Sequence, residues 1–498
     1  MTGTLGGALL VLAIALPLGA TLLAFVHGGQ AASRVARGAL WLWLALAVAI
    51  VAAVIRQGEP ISYHIGGFAP PIGIALAADG LAAAMLLAAA IILVAAGLFG
   101  RAAYPAPSWD KGGRAAFAYW CLLPALAASL AVAFLARDLF SLFVALEMLT
   151  FTALALACLD GRPSQFKAEL RYLLFALLGS VLYLLGCALF YGAYGTLDIG
   201  LLAGNTRADA PTRLAGALMT VGLLAKMAVF PLHLWLPPAH AGAPPAGSAL
   251  LSGLVVKGAF VLLVRLWFWV LPGPPVAGAE LLAALGAAAI LVGSVVALRQ
   301  EKLKALIAYS TVAQIGYLFL MFPLALGATS RGGAAAAAAG GILQAVSHAT
   351  AKAAMFMAAG LLYAALGHDR VADLRGAARA LPMTVAAFAL SGIALIGLPP
   401  AGGFLAKWLL LSSALDSGQW WWAVVIAVGG MLTAAYVFTV LSYALATPQT
   451  AVAVAPVSRS REAVVLALAV LSAVLGVAAL PPLELVLAGR ELLAGGTR

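Results

Sequence analysis

Two lysines lie within apolar stretches of the chain, where membrane helices would hold them away from water. Lys226 lies in the segment 213–236 and Lys257 in the segment 247–271, with a turn rich in proline and glycine between them. An ammonium group near the middle of a membrane costs at least about 2.5 kcal/mol. Burial also disfavours the charged form of an amine, which makes proton release accessible. We therefore expect both lysines to be kept for a function.

A carboxylate and a histidine-lysine pair also fall inside apolar segments. Glu147 lies in the middle of FSLFVALEMLTF, where an unpartnered carboxylate would attract a cation, and Lys226 is its natural partner. A structural pin between helices is the alternative for this pair. His348 and Lys352 are four residues apart and share one helical face. A lone histidine there could be an ordinary core residue, but a lysine one turn away favours a function.

Lys407 follows the segment GIALIGLPPAGGFLA, whose prolines and glycines should interrupt the helix just before the charge. Lys226 lies beside a similar break at Pro231. Interrupted helices at membrane depth are tolerated where they line a cavity. Broken helices in corresponding positions of two halves mark the binding sites of transporters built from inverted repeats. The pattern predicts such a repeat, with helices 4–8 matching helices 9–13 and with helices 7 and 12 broken.

The composition indicates a polytopic membrane protein. Of 498 residues, 64% are hydrophobic and only 9% are charged, against about 25% charged residues in soluble domains. The net charge of +11 does not indicate nucleic-acid binding, because the basic residues are scattered between apolar runs. Cys121, Cys158 and Cys187 lie far apart, without the spacing of a metal or redox site. The sequence therefore predicts no cofactor, no metal site and no redox centre in this chain.

A membrane helix needs about 20 apolar residues, and on that criterion the chain is all-α with about fourteen transmembrane helices. Their predicted cores are 4–26, 39–56, 74–99, 116–135, 139–158, 170–192, 213–236, 247–271, 279–298, 303–323, 333–366, 382–411, 420–446 and 463–488. The predicted organisation is three N-terminal helices in 1–115, a first repeat in 116–271, a second repeat in 272–446, and a last helix with its tail in 447–498.

Basic residues in the loops predict the orientation. Most lie in loops of one side, including Arg34, Arg37, Arg162, Lys167 and Arg171. Loops rich in lysine and arginine stay on the cytoplasmic side of a membrane. We therefore expect a multi-pass protein of the bacterial cytoplasmic (inner) membrane with both termini on the outer, periplasmic side.

Four segments of the chain resemble, in order, the signature segments of one known family. They read PLHLWLPPAHAGAPPAGSALLSGLVVKGAF, LRQEKLKALIAYSTVAQIGY, QAVSHATAKAAMFMAAG and GLPPAGGFLAKW. This family comprises the antiporter-like, proton-translocating subunits of respiratory complex I, membrane-bound hydrogenases and Mrp-type cation/proton antiporters. The resemblance runs from about Asp79 to about Tyr443, and the turn before Lys257 is most similar to that of the Mrp D subunit.

The resemblance implies a proton pathway through titratable side chains inside the membrane. Glu147 and Lys226 match the glutamate of the fifth helix and the lysine of the seventh that it modulates. Lys257 matches the central lysine of the eighth helix. His348 matches the histidine of the eleventh helix and Lys407 the lysine of the twelfth, near the exit. Lys352 joins this pathway through its position one turn from His348.

Further residues are expected to have accessory roles. Asp79 matches a frequent aspartate of the third helix, with a structural or peripheral role. His233 and His240 match the family's HxW and AH positions, where they line the broken helix or form a structural turn. Arg265 lies toward a helix end, and its long side chain is expected to reach the interface.

Three functions remain open at this point. The first is monovalent cation/proton antiport within an Mrp-type assembly, with sodium as the candidate counter-ion. The second is proton pumping in the membrane arm of a hydrogenase or NADH/quinone oxidoreductase complex, and the third is a structural scaffold. The first two require other membrane subunits as partners. Because only Glu147 and Asp79 are expected to be acids inside spans, a sodium site would need backbone carbonyls or another subunit.

Overall fold

The computed structural model describes residues 5–105, 113–273, 275–447 and 455–477, and nearly all of them lie in helices. Within these ranges, eleven helices are long and apolar enough to cross a membrane. This confirms the predicted all-α polytopic membrane protein. The number of spans, the inverted repeats and the domain boundaries stay predictions.

The elements up to Lys226 are, in chain order, α1 (Leu5–His27), α2 (Gly29–Gln57), β1 (Ile61–His64), β2 (Ala75–Ala78), α3 (Gly80–Ala103), α4 (Gly113–Leu135), α5 (Leu139–Ala157), α6 (Pro163–Tyr194), α7 (Ile199–Asn205) and α8 (Ala210–Lys226). The elements that follow are α9 (Leu236–Gly242), α10 (Pro245–Leu250), α11 (Val256–Arg265), α12 (Val276–Leu298), α13 (Leu303–Leu326), α14 (Arg331–Leu366), α15 (Ala377–Ala380), α16 (Pro382–Ile396), α17 (Gly402–Asp416), α18 (Trp420–Leu445) and α19 (Arg459–Val474).

The two expected breaks are present. The predicted seventh span divides into α8 and α9, joined by an unwound segment and a 3-10 turn at Leu232–Trp235. The predicted twelfth span divides into α16 and α17 around Gly397 to Ala401. By contrast, α10 and α11 form one continuous helix, Pro245–Val270, that contains two π-helical segments. The last predicted span, 463–488, begins within α19, but its part beyond residue 477 lies outside the described residues.

A small antiparallel sheet precedes α3, where the sequence predicted only a loop and the start of a helix. Strand β1 pairs with β2, with Ile61 opposite Ala78 and His64 opposite Ala75. The third helix therefore begins at Gly80 rather than at residue 74, and the Asp79 carboxylate accepts a hydrogen bond from the Ala82 amide at 2.8 Å. An aspartate at this position caps the helix by satisfying a free amide.

Close helix packing depends on small residues, as the glycine- and alanine-rich runs predict. Gly179 of α6 faces Gly222 of α8. A Cβ atom added at Gly222 would lie 2.3 Å from the Gly179 carbonyl oxygen, and one added at Gly179 would lie 2.6 Å from the Gly222 oxygen. Gly222 is one helical turn before Lys226, so this contact sets the position of the lysine relative to α6.

Gly222→Ala is expected to lower the stability of the protein by about 1–3 kcal/mol, because the new methyl group meets backbone and forces α6 away from α8. The measurement is the thermal unfolding midpoint of the detergent-purified protein. Gly192→Ala is the matched control, since Gly192 lies on α6 with no atom within 4 Å of an added Cβ. Equal midpoints for the two variants would contradict the assigned contact.

Helix α14 is the longest described helix, with 36 residues. Most of its residues from Ala337 to Leu362 are buried. It packs against α13, α16 and α17 on the side of the predicted second repeat and against α10 on the side of the first. His348 and Lys352 therefore lie where the two predicted repeats meet.

Candidate functional site

Glu147 and Lys226 form an ion pair across α5 and α8. The Lys226 amine lies 3.1 Å from the Glu147 carboxylate and donates a second hydrogen bond to Thr150 Oγ1 at 3.1 Å. Ser180 of α6 donates to the same carboxylate. The Lys226 side chain is 6% exposed and that of Glu147 is 20% exposed. The pair predicted from the sequence is thus formed, and three helices meet at it.

The break after α8 explains the position of this amine. Lys226 is the last residue of α8, five residues before Pro231, so the helix ends earlier than the proline alone predicts. The carbonyl end of a helix favours a positive charge. Trp235, on the far side of the break, donates from its indole nitrogen to the Ala225 carbonyl at 2.9 Å. The unwound backbone therefore keeps a hydrogen-bond partner beside the lysine.

Lys257 and His348 are in direct contact. The Lys257 amine lies 2.6 Å from His348 Nδ1 and donates to the Ser252 carbonyl at 2.5 Å. Ser252 belongs to the π-helical segment Leu251–Val255, and π segments disturb the regular hydrogen-bond ladder of a helix. Lys257 is fully buried and His348 is 1% exposed. The sequence predicted both residues but not their contact, because 91 positions separate them.

Lys352 points from α14 to α13. Its amine donates to the Ile307 carbonyl at 2.9 Å and to the hydroxyl of Ser310. The side chain is fully buried. His348 and Lys352 thus lie on one helix but have different partners, one on α11 and the other on α13.

Lys407 is bound by the carbonyl end of α16. Its amine donates to the Leu395 carbonyl at 2.7 Å and to the Ile396 carbonyl at 3.0 Å. It also lies 4.2 Å from the centre of the Tyr317 ring, a cation–π distance. Because α16 ends at Ile396, these carbonyls lack helical partners, and the break predicted from the prolines supplies the binding site for the amine.

Polar side chains at helical spacing on α13 were missed by the sequence analysis. Ser310 accepts from Lys352, and Gln314 donates to the Leu395 carbonyl at 3.2 Å, the carbonyl that also binds Lys407. Tyr317 lies against Lys407. These three residues follow an i, i+4, i+7 pattern, which places them on one helical face. That pattern, within the segment YSTVAQIGY, was the available signal.

His233 and His240 lie in the broken part of the predicted seventh helix. His240 of α9 is fully buried and stacked on Phe356, with ring centres 4.7 Å apart. Neither of its ring nitrogens has a hydrogen-bond partner among the described residues. Its charged neighbours are Lys257, Lys352 and Lys304. His233 is 7% exposed and stacks on Phe230. His240 therefore lies near the central lysines, whereas His233 lies next to the break.

Asp79 belongs to a different cluster. Its carboxylate lies 2.9 Å from Arg137 and 3.9 Å from Arg265. Arg265 is fully buried and donates to the Phe134 carbonyl. The expectation that Arg265 extends to the interface is therefore wrong, because Asp79 and a backbone carbonyl supply partners inside the protein. Asp79 caps α3 and joins it to α11, consistent with a structural role.

Glu169 was also missed by the sequence analysis, which expected only Glu147 and Asp79 as acids inside spans. Its side chain on α6 is 1% exposed, and within the described ranges neither carboxylate oxygen has a hydrogen-bond partner. Glu462 of α19 is buried as well, and it accepts a hydrogen bond from Thr384 at 2.8 Å. The sequence signal was weak, since Glu169 stands between Lys167 and Arg171 and resembles part of a charged loop.

Direct contacts join some of these residues and leave others apart. Glu147 contacts Lys226, and Lys257 contacts His348. Between these two pairs, no direct hydrogen bond connects Lys226 to Lys257 in the part of the chain that is described. On the other side, the α13 residues lead from Lys352 to Lys407. The arrangement is a series of buried amines, each bound by carbonyl, hydroxyl, imidazole or carboxylate groups.

Known proteins share both the sequence and the fold. A family described as NADH:quinone oxidoreductase/Mrp antiporter, transmembrane, matches residues 136–433. NADH-quinone oxidoreductase subunit N of Desulforudis audaxviator is 35% identical over 406 residues, which are 80% of this chain and 78% of that protein. A Na(+)/H(+) antiporter protein of Alkalihalophilus pseudofirmus, the D component of its complex, is 27% identical, covering 88% of this chain and 86% of that protein.

A solved structure agrees with these relatives. A chain in the Mrp complex from Dietzia sp. DQ12-45-1b superposes with a TM-score of 0.87 at 26% identity, covering 98% of this chain and 97% of that one. The family match includes Glu147, the lysines from Lys226 to Lys407 and both helix breaks. The chain therefore belongs to the NADH:quinone oxidoreductase/Mrp antiporter transmembrane family.

Proposed function

We propose that this chain conducts protons through the membrane along Glu147, Lys226, Lys257, His348, Lys352 and Lys407. The contact between Lys257 and His348 carries the proposal, because a buried amine and a buried imidazole lie within hydrogen-bonding distance, 2.6 Å. Two positive charges at that distance and depth would repel each other strongly. The pair therefore holds its extra proton on one member at a time, as a proton-transfer pair requires.

The ion pair at Lys226 supplies a second element of the mechanism. Glu147 favours the charged form of Lys226, and a change in the charge or position of Glu147 therefore changes the proton affinity of the amine. Sites that interact in this way titrate together rather than independently. Water transiently present between Lys226 and Lys257 carries the proton over the interval that direct contacts leave open.

Lys407 is the last site of the proposed line. Its amine rests on the carbonyls at the break of the predicted twelfth helix and on Tyr317. The hydroxyl and amide groups of Ser310 and Gln314 line the interval from Lys352. His240, near Lys257 and Lys352, adds a polar group at the centre, and His233 and Asp79 have accessory roles.

The driving reaction belongs to a multisubunit assembly. We propose Mrp-type exchange of a monovalent cation, sodium being the candidate, for protons, with other membrane subunits as partners. The overlap with the Mrp complex chain over nearly its full length supports this assignment. Pumping in a quinone-reducing or hydrogenase-like membrane arm is the second candidate, favoured by the relative named as a quinone oxidoreductase subunit. The proposed location is the bacterial cytoplasmic membrane, with both termini outside.

The proposal is tested on the tagged chain purified with its native partners and reconstituted into vesicles. A sodium or potassium pulse that produces a pH gradient supports antiport. A gradient that forms only when an electron donor and a quinone are added supports the second candidate. If the complex forms but neither treatment moves protons, the chain is a scaffold and the proposal is wrong.

Lys257→Met is expected to abolish this pH gradient while the complex still assembles. Methionine fills most of the lysine volume but cannot carry a proton, and removal of an isolated buried amine leaves no opposite charge behind. Lys167→Met is the matched control, because Lys167 is exposed on α6. The measurement is the rate of pH change in vesicles that contain equal amounts of assembled complex. Full activity of Lys257→Met would exclude Lys257 from the pathway.

A further inference from the structure

Glu169 occupies an unusual environment for a carboxylate. It is 1% exposed, and both oxygens are without a hydrogen-bond partner in the described part of the chain. Burying an ionised carboxylate without a partner costs several kcal/mol, more than most single interactions contribute to stability. A residue needed only for packing would be served better by an apolar side chain. The carboxylate is therefore expected to exchange a proton at this position.

The position of Glu169 on α6 relates it to the first ion pair. Gln165, Glu169, Tyr172, Ala176 and Ser180 are all buried, and their spacing places them on one helical face. Ser180, at one end of this face, donates to Glu147. Gln165, at the other end, donates to the Gly242 carbonyl beside the broken helix at 2.7 Å. Glu169 lies between them, about 16 Å along the helix from Ser180.

Hydroxyl groups span the interval between Glu169 and the ion pair. Tyr172 is one turn from Glu169 and interacts with it electrostatically, and its hydroxyl is a hydrogen-bond partner of Thr150. Thr150 accepts a hydrogen bond from Lys226 at 3.1 Å. Trp235 stacks on Tyr172, with ring centres 4.4 Å apart, and holds its ring in place. A sequence of Glu169, Tyr172, Thr150 and Lys226 results.

The other side of Glu169 faces the α5–α6 loop. Cys158, at the end of α5, is its electrostatic neighbour and is partly exposed, and Asp160 beyond it is exposed. Glu169 is only about 9 Å along α6 from the first residue of the helix. The basic residues Arg162, Lys167 and Arg171 lie at this end. Glu169 is therefore one layer below the surface on the side of the basic loops.

We propose that Glu169 is the proton-uptake group for the Glu147–Lys226 pair on the side of the α5–α6 loop. The carboxylate takes a proton from solvent near Cys158. It then passes a proton inward, each hydroxyl of Tyr172 and Thr150 receiving one proton as it gives one, until the carboxylate of Glu147 or the neutral amine of Lys226 is protonated. No bond other than O–H and N–H bonds forms or breaks. The assignment rests on the proposed proton pathway and adds the group that loads it.

Glu169→Gln is expected to assemble normally and to slow proton translocation by about a hundredfold, the lower range for removing a positioned proton-transfer group. Glu169→Asp should retain part of the rate with a shifted pH profile. Tyr172→Phe keeps the stacked ring but removes the hydroxyl, and it should also slow translocation. Glu301→Gln is the matched control, because Glu301 is an exposed carboxylate whose side chain is 83% accessible. Difference infrared spectra should contain a protonated carboxyl band that Glu169→Gln lacks.

Three results would overturn the assignment. These are a wild-type rate and pH profile in Glu169→Gln, an unchanged carboxyl band in that variant, or a wild-type rate in both Glu169→Asp and Tyr172→Phe if the glutamine variant does not assemble. Each counts against Glu169 alone when Lys226→Ala is inactive in the same vesicles. If Lys226→Ala translocates protons normally, the underlying pathway is wrong instead. The two failures are therefore distinguishable.

Discussion

Lys226→Ala is expected to reduce proton translocation to the background of vesicles without the protein. The amine is bound to Glu147 and Thr150, each at 3.1 Å, and its loss removes the only group of α8 that could exchange a proton there. Removing one member of a buried ion pair also costs about 3–5 kcal/mol, because the other charge stays behind. This value is an upper range here, since Glu147 remains partly exposed. The measurement is the initial rate of pH change per assembled complex.

Two companion variants separate lost transport from lost assembly. Glu147→Gln combined with Lys226→Met removes both charges, so the complex should assemble and still not translocate protons. Lys226→Arg keeps the ion pair, but a guanidinium does not release its proton in proteins, and transport should again be lost. If the arginine variant transports protons at the wild-type rate, Lys226 serves as a fixed charge and not as a proton carrier.

Lys407→Arg is expected to give the second large effect, a loss of proton translocation in a fully assembled complex. The arginine keeps a positive charge beside the Leu395 and Ile396 carbonyls, so the break between α16 and α17 stays supported. It cannot deliver a proton, however, because it stays charged. The measurement is again the pH change in vesicles, compared with the yield of assembled complex.

Lys407→Ala should differ from the arginine variant in stability. Without the amine, two carbonyls at the end of α16 lose their partner, and each buried acceptor left unpaired costs about 1–3 kcal/mol. The alanine variant should therefore lose both assembly and transport. Lys302→Arg is the control for the lysine-to-arginine change, since Lys302 is exposed. Normal translocation by Lys407→Arg would remove Lys407 from the pathway.

The lysines could be found from the sequence because each is an isolated charge within a long apolar run. Lys226, Lys257, Lys352 and Lys407 are all at most 6% exposed. The two breaks were equally visible, since proline and glycine disrupt helices for local reasons. What a single sequence could not supply was contact between distant segments. The meeting of Lys257 with His348 depends on the packing of α11 against α14, which no local pattern encodes.

Errors arose where local chemistry had two readings. Arg265 near a helix end suggested an exposed side chain, but Asp79 on a distant segment draws it inward. Residues before Asp79 were assigned to a helix because they are apolar, but β2 pairs with β1 instead. Glu169 was overlooked because its neighbours in sequence are basic, whereas its neighbours in space are not. In each case tertiary contacts decided between the readings.

The length of α14 has a consequence for the lipid. A helix of 36 residues is about 54 Å long, whereas the hydrocarbon layer is about 30 Å thick. The helix must therefore lean or project beyond the layer, and a thinner bilayer favours a greater lean. His348, which contacts Lys257, is fixed to this helix. We therefore expect acyl-chain length to influence the geometry of the central amine and imidazole.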